Sequence, residues 1–184
     1  MRIIAGSVGG RVLRAPKGMA TRPTSDRVRE AVFNILTSRS APPERVLDLF
    51  AGSGALGLEA VSRGVGRAVF VEQHAATARL IRDNARELGF DGQIDVRSQR
   101  VDDFLARTSP TPFGWIFLDP PYADAAGLGR ALGALGPFVD DSSLVIAEHD
   151  GKLQPAESYA GLALCDRRRY GQCAVSFYTS VKNI

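Results

Sequence analysis

Hydrophobic positions along this chain follow two periods in turn. Val28, Ala31, Val32, Ile35 and Leu36 recur at the spacing of one helix face, with Arg27, Arg29 and Glu30 on the others. This predicts a helix that starts near Ser25, a residue suited to the N-cap, and ends at Ala41-Pro42-Pro43. Beyond it, short apolar runs alternate with amphipathic stretches. Strands are predicted at 46–50, 68–72, 94–97, 115–119 and 144–148, and helices at 55–63, 75–88, 101–107 and 125–135. Gly64 and Gly89 close the helices before them. Such βα alternation implies a mostly parallel, doubly wound sheet. The end of the chain differs: residues 162–170 and 174–181, joined through Gly171, read as an antiparallel β-hairpin. Residues 1–24 read as a short hairpin and a loop, with the apolar pairs Ile3-Ile4 and Val12-Leu13 flanking Gly6 and Gly9-Gly10.

Composition narrows the class. The length of 184 residues fits about one domain, and 45% hydrophobic residues suffice for one packed core. No apolar run approaches the roughly 20 residues of a membrane span, and the start, Met1-Arg2-Ile3-Ile4-Ala5-Gly6, lacks the apolar segment of a secretory signal. Cys165 and Cys173 are too few for a disulfide framework. They read as reduced thiols of a cytoplasmic protein, although their spacing would allow a bridge across a hairpin. His74 and His149 read as surface or supporting residues, and no metal-ligating constellation is evident.

Net charge is only +3, but it is unevenly placed. Arg2, Arg11, Arg14, Lys17, Arg22, Arg27 and Arg29 face a single acid, Asp26, within the first 29 residues, and Arg167-Arg168-Arg169 form a second cluster. A solvated basic face is the plain explanation. A polyanion partner is favoured here because the basic segment sits beside a candidate base-modifying site.

The first candidate site is Asp48-Leu49-Phe50-Ala51-Gly52-Ser53-Gly54. Gly52 to Gly57 fit G-x-G-x-x-G after a strand and at the start of a helix, the context in which backbone can approach a nucleotide. Gly57 reads as a helix-packing position. Glu72 ends the second strand, where a carboxylate can accept hydrogen bonds from both ribose hydroxyls; an NAD site would carry the same feature. Asp48 separates the two. A carboxylate there suits the cationic amino-acid end of S-adenosylmethionine and opposes a pyrophosphate; the plainer role is to order the loop. Phe50 and Ala51 complete the expected cofactor contacts. Where methyltransferases often place an acid, in a G-D-A-x-x-F-L pattern, this chain has Arg100. The backbone near Val101 is then expected to serve the adenine, with Asp102 and Asp103 charging the first turn of a helix.

The second site is Asp119-Pro120-Pro121-Tyr122, after the apolar run Trp115-Ile116-Phe117-Leu118. An exocyclic amine of a base is a poor nucleophile because its lone pair is delocalised into the ring. The Asp119 carboxylate and the Pro120 carbonyl can each accept one of its hydrogens, the prolines fix that carbonyl, and Tyr122 offers a ring for stacking. A base inside a duplex cannot enter such a pocket, so a flipped or looped nucleotide is implied. A proline-rich turn after a buried strand is the structural alternative.

With these motifs in place the chain resembles the RsmD family of bacterial 16S rRNA guanine-N2 methyltransferases over nearly its whole length. The resemblance rests on Arg2-Ile3-Ile4-Ala5-Gly6 with Gly10-Arg11, on 21–36, on 48–60, on Asp119 to Tyr122 and on Arg169-Tyr170-Gly171. It implies a Rossmann-like class I methyltransferase α/β sheet that ends in an antiparallel β-hairpin and carries a short N-terminal hairpin and helix. A single domain, 1–184, would comprise an RNA-binding arm and helix (1–40) and a catalytic core (41–184). It implies S-adenosylmethionine as cofactor, with Asp119 also near it, and one guanine of 16S rRNA in an assembled or assembling small subunit as target. A monomer is expected. Arg22, Arg27 and Arg29 are the expected phosphate contacts, with a pocket-shaping role for Arg22-Pro23-Thr24 as the alternative. Two other functions stay open on the residues alone: methylation of adenine N6 in DNA or of a glutamine amide, and RNA binding without catalysis.

Overall fold

The computed structural model describes residues 1–15, 23–121 and 123–181. Helix α1 (Pro23–Arg39) begins two residues before Ser25, with proline at the first helical position, where its missing N–H costs nothing. The core then alternates as anticipated: β1 (Arg45–Leu49), α2 (Ala55–Ser62), β2 (Arg67–Val71), α3 (Ala75–Leu88), β3 (Ile94–Arg97), α4 (Val101–Arg107), β4 (Trp115–Leu118), α5 (Ala125–Ala134) and β5 (Leu144–Asp150). Strands β6 (Ser158–Tyr159), β7 (Leu162–Tyr170) and β8 (Cys173–Ser180) follow. Among the described residues the eight strands form one sheet in the order β3-β2-β1-β4-β5-β8-β7-β6. The pairs from β3 to β5 are parallel and those involving β8, β7 and β6 antiparallel.

Each face of the sheet buries one apolar cluster. Val46, Phe70, Trp115, Phe117, Ile146 and Phe177 pack with α1, α2, α3 and the arm; Leu47, Leu49, Ile116, Leu118 and Val145 pack with α4 and α5. Strand β4 is buried at every position, which is why its sequence is a continuous apolar run rather than an alternation. Strand β5 outruns its parallel neighbour because β8 pairs it to the end, with Glu148 opposite Val175 and Asp150 opposite Cys173. No helix among the described residues is long and apolar enough to cross a membrane.

The N-terminal hairpin closes at an antiparallel bridge between Arg2 and Val12. Its inward residues are Ile3 and Leu13, not the whole apolar pairs: Val12 is 76% exposed. Its backbone docks on α2. Ile4 and Ala5 N–H donate to the Glu59 carboxylate, the Ser62 hydroxyl donates to Ala5 carbonyl, and Val8 N–H donates to that hydroxyl. Gly6, at φ 89°, lies so close to Ser62 that a Cβ would fall 2.0 Å from its carbonyl oxygen.

The bridge that sequence proximity would allow between the cysteines does not form. Cys173 stands opposite Tyr170, whereas Cys165 lies at a bulge near Phe177, and neither is in a disulfide.

Candidate active site

Strand β1 delivers its chain to the sheet's C-terminal edge and turns it sharply. Phe50 sits at φ 60°, a left-handed conformation that costs a non-glycine residue roughly 1 kcal/mol. Its ring is half-buried on the α4–α5 side. Ala51 N–H then donates to Val71 carbonyl on β2, and Gly54 N–H donates to Ala51 carbonyl. Gly52 and Gly54 both have positive φ, 53° and 79°. A Cβ on Gly52 would meet nothing closer than 3.9 Å, so this glycine leaves open space over bare backbone.

Two carboxylates bracket the loop. Glu72, 7% exposed at the end of β2, accepts hydrogen bonds from Gly52 N–H (2.9 Å) and His74 N–H (2.8 Å). Asp48, 1% exposed, accepts one from Gly57 N–H at 2.9 Å, joining β1 to the first turn of α2. Gly57 is needed there for packing, since a Cβ would come within 2.3 Å of the Phe70 ring. Burial pushes the Asp48 carboxyl up to about 8; the Gly57 hydrogen bond opposes that, and the nearby Glu72 charge adds to it. An ammonium group placed beside Asp48 would relieve this penalty.

Asn84 on α3 ties the arm to the same loop, and no local pattern marks it. Its amide donates to Arg14 and Ser53 carbonyls and its oxygen accepts from Arg14 N–H. The Ser53 hydroxyl meets Met1 sulfur at 3.0 Å. Both strands of the hairpin therefore end beside the glycine turn.

Asp119 lies just past β4 at the same sheet edge and is exposed, while Pro120 is buried. Pro121 carbonyl accepts from Asp124 N–H, and Asp124 caps α5 by accepting from Gly127 N–H at 2.9 Å. Behind the turn, His149 lines a cleft with Pro120 and Pro121. Of the two expected roles, surface or supporting, its 2% exposure fits the supporting one. Arg167 Nε–H donates to the Ser176 hydroxyl, which donates to His149 Nε2, and His149 Nδ1–H donates to Asp150 carbonyl. Burial holds its pKa below the ordinary histidine value, so the ring is neutral and fully bonded.

The remaining expected residues divide. Val101 is buried at the start of α4, but the Arg100 side chain is 62% exposed and faces Asp102 at 3.7 Å. Arg27 is exposed and available to a partner. Arg29 is not. It is 4% exposed, donates to Arg2 carbonyl and Asp26, and lies 3.8 Å from the fully buried Glu59. The expectation that Arg29 contacts phosphate is therefore corrected: it holds the arm and α1 on α2, and burial lowers its pKa. Tyr122 and Arg22 lie outside the described residues.

This combination of a parallel sheet, a bracketed glycine turn and a D-P-P turn at one edge has close counterparts. The family model described as "Conserved hypothetical protein 95" matches residues 1–179. The chain belongs to this family. Within it, a candidate rRNA methyltransferase of Bacillus subtilis, YlbH, is 35% identical over 186 residues, which span 97% of this chain and 98% of that protein. "Ribosomal RNA small subunit methyltransferase D" of Escherichia coli is 41% identical over 122 residues, 66% of this chain and 60% of its own length. A solved Escherichia coli structure, described as the candidate methyltransferase yhhF, superposes with a TM-score of 0.82 at 33% identity, covering 98% and 97% of the two chains. The family is thus one of methyltransferases, with the Rossmann-like sheet expected from the resemblance.

Proposed function

We propose that this protein transfers a methyl group from S-adenosylmethionine to the exocyclic N2 of one guanine in small-subunit rRNA. The observation that carries the reading is the shared sheet edge: the Asp119-Pro120 turn ends β4 beside β1, whose own end opens the Gly52–Gly54 cradle between Asp48 and Glu72. Relatives named as methyltransferases of small-subunit ribosomal RNA support it.

The bound cofactor would supply an electrophilic methyl on a sulfonium. Glu72 would hold the ribose hydroxyls, Asp48 the amino-acid end, and the Val101 backbone the adenine. Asp119 and the Pro120 carbonyl would accept the two N2 hydrogens, turning the nitrogen lone pair toward the methyl carbon. Asp119 would then take up, directly or through water, the proton that N2 must lose when it gains the methyl group. Exposed arm arginines, Arg2, Arg11 and Arg27, would hold RNA phosphates. In this reading residues 1–184 act as a single domain and a monomer in the cytoplasm. Transfer of a labelled methyl group onto small subunits lacking the modification tests it.

A further inference from the structure

We propose that Glu148 is a specificity-determining residue of the acceptor site and accepts the N1–H of the target guanine; this rests on the guanine-N2 reading above. Strands β4 and β5 are parallel neighbours with Leu118 opposite Ala147. Carried one residue past the end of β4, that register would set Asp119 beside Glu148. Side chains alternate faces along a strand. Trp115 and Phe117 of β4, and Leu144 and Ile146 of β5, all belong to the cluster on the α1–α3 face. The same parity puts Glu148 on that face, where Asp48 also lies, and carried one residue past β4 it would turn Asp119 the same way. Neighbouring strands are about 4.8 Å apart, so two carboxylates fall within the width of one base edge.

Glu148 is also rigidly placed. It sits within β5, beyond the end of β4, because β8 pairs with it through Val175. It is half-buried, and the Cys173 thiol lies 3.4 Å from its Oε1. Guanine presents N1–H and N2–H2 as adjacent donors, whereas adenine has a bare lone pair at N1. A carboxylate beside the D-P-P turn therefore attracts guanine and repels adenine. Asp119 and Pro120, which recognise only an amine, cannot make that distinction.

The test compares wild type with Glu148→Gln on small subunits reconstituted with rRNA that carries guanine or 2-aminopurine at the methylated position. The analogue keeps the amine and lacks N1–H. Wild type should prefer guanine by about 100-fold or more in kcat/KM. Glu148→Gln should lose about 30-fold on guanine, and its preference should shrink below about tenfold, because an amide can donate to a bare N1. Cofactor affinity, subunit affinity and melting temperature should stay unchanged. An equal preference ratio in both proteins, a variant as active as wild type, or a loss shared with cofactor affinity and melting temperature would each overturn the inference. Should wild type place its methyl elsewhere than guanine N2 on natural subunits, the functional reading itself fails and the role of Glu148 falls with it.

Discussion

Asp48 and Gly57, nine residues apart, are joined by a 2.9 Å hydrogen bond from the Gly57 N–H to a carboxylate that solvent scarcely reaches. Burial raises the folded-state pKa to about 8 from 3.8. Between those values the folded chain keeps a proton that the unfolded chain releases, so stability falls as pH rises across that window. Asp48→Asn can still accept from Gly57 N–H without bearing charge. It should melt higher than wild type at pH 8, by about 2–4 °C for each kcal/mol recovered, while binding S-adenosylmethionine far more weakly. Wild-type binding at pH 7 should release close to one proton, read by calorimetry in buffers of different ionisation enthalpy. Equal melting temperatures together with unchanged cofactor affinity would remove Asp48 from this role.

Glu72 tests the other side of the cradle. Its replacement by alanine should weaken S-adenosylmethionine binding by about 1–3 kcal/mol, the scale of lost charge-assisted hydrogen bonds. Calorimetry finding tight NAD binding and none to the methyl donor would contradict the cofactor assignment as a whole.

Asp119→Ala should lower kcat by about 100-fold or more and leave cofactor affinity within a factor of two, because the contact is made with the acceptor amine as it reacts. Near-normal turnover on small subunits would make Asp119 structural.

The arm arginines should separate by burial. Arg29→Ala removes one of the two cations beside the buried Glu59, which keeps Arg63 at 2.7 Å, and strips Arg2 carbonyl of its donor; a loss of about 1–3 kcal/mol in urea unfolding is expected. Replacing the exposed Arg2, Arg11 and Arg27 should instead leave stability nearly unchanged and flatten the salt dependence of subunit binding, since each phosphate neutralised adds to that slope. Identical slopes would move the polyanion surface elsewhere, first to Arg167-Arg168-Arg169.

These distinctions mark how far the chain could be read before it was folded. The apolar run of β4, the glycine turn and the D-P-P turn are local signals, and each took its expected place along the sheet edge. Arg29 was misread because its burial depends on Glu59, thirty residues later on another helix. The signal was present in α2 itself, Ala55-Leu56-Gly57-Leu58-Glu59-Ala60-Val61-Ser62, where one acid in an apolar helix requires a buried partner. Asn84 carried no comparable mark, because a polar residue on an amphipathic helix reads as solvent-facing until the arm is seen lying across it. For His149 the choice between a surface and a supporting role stayed open for a related reason: its partner Ser176 comes from β8, whose pairing with β5 no local period reveals.

The central claim is the transfer of a methyl group to guanine N2. The most direct measurement incubates the protein with tritiated S-adenosylmethionine and small subunits lacking the modification, then digests the rRNA to nucleosides. The label should elute as N2-methylguanosine, close to one per subunit, with Asp119→Ala giving at most about a hundredth of the initial rate. Label in adenosine or in ribosomal protein, or no label with wild type, would contradict it.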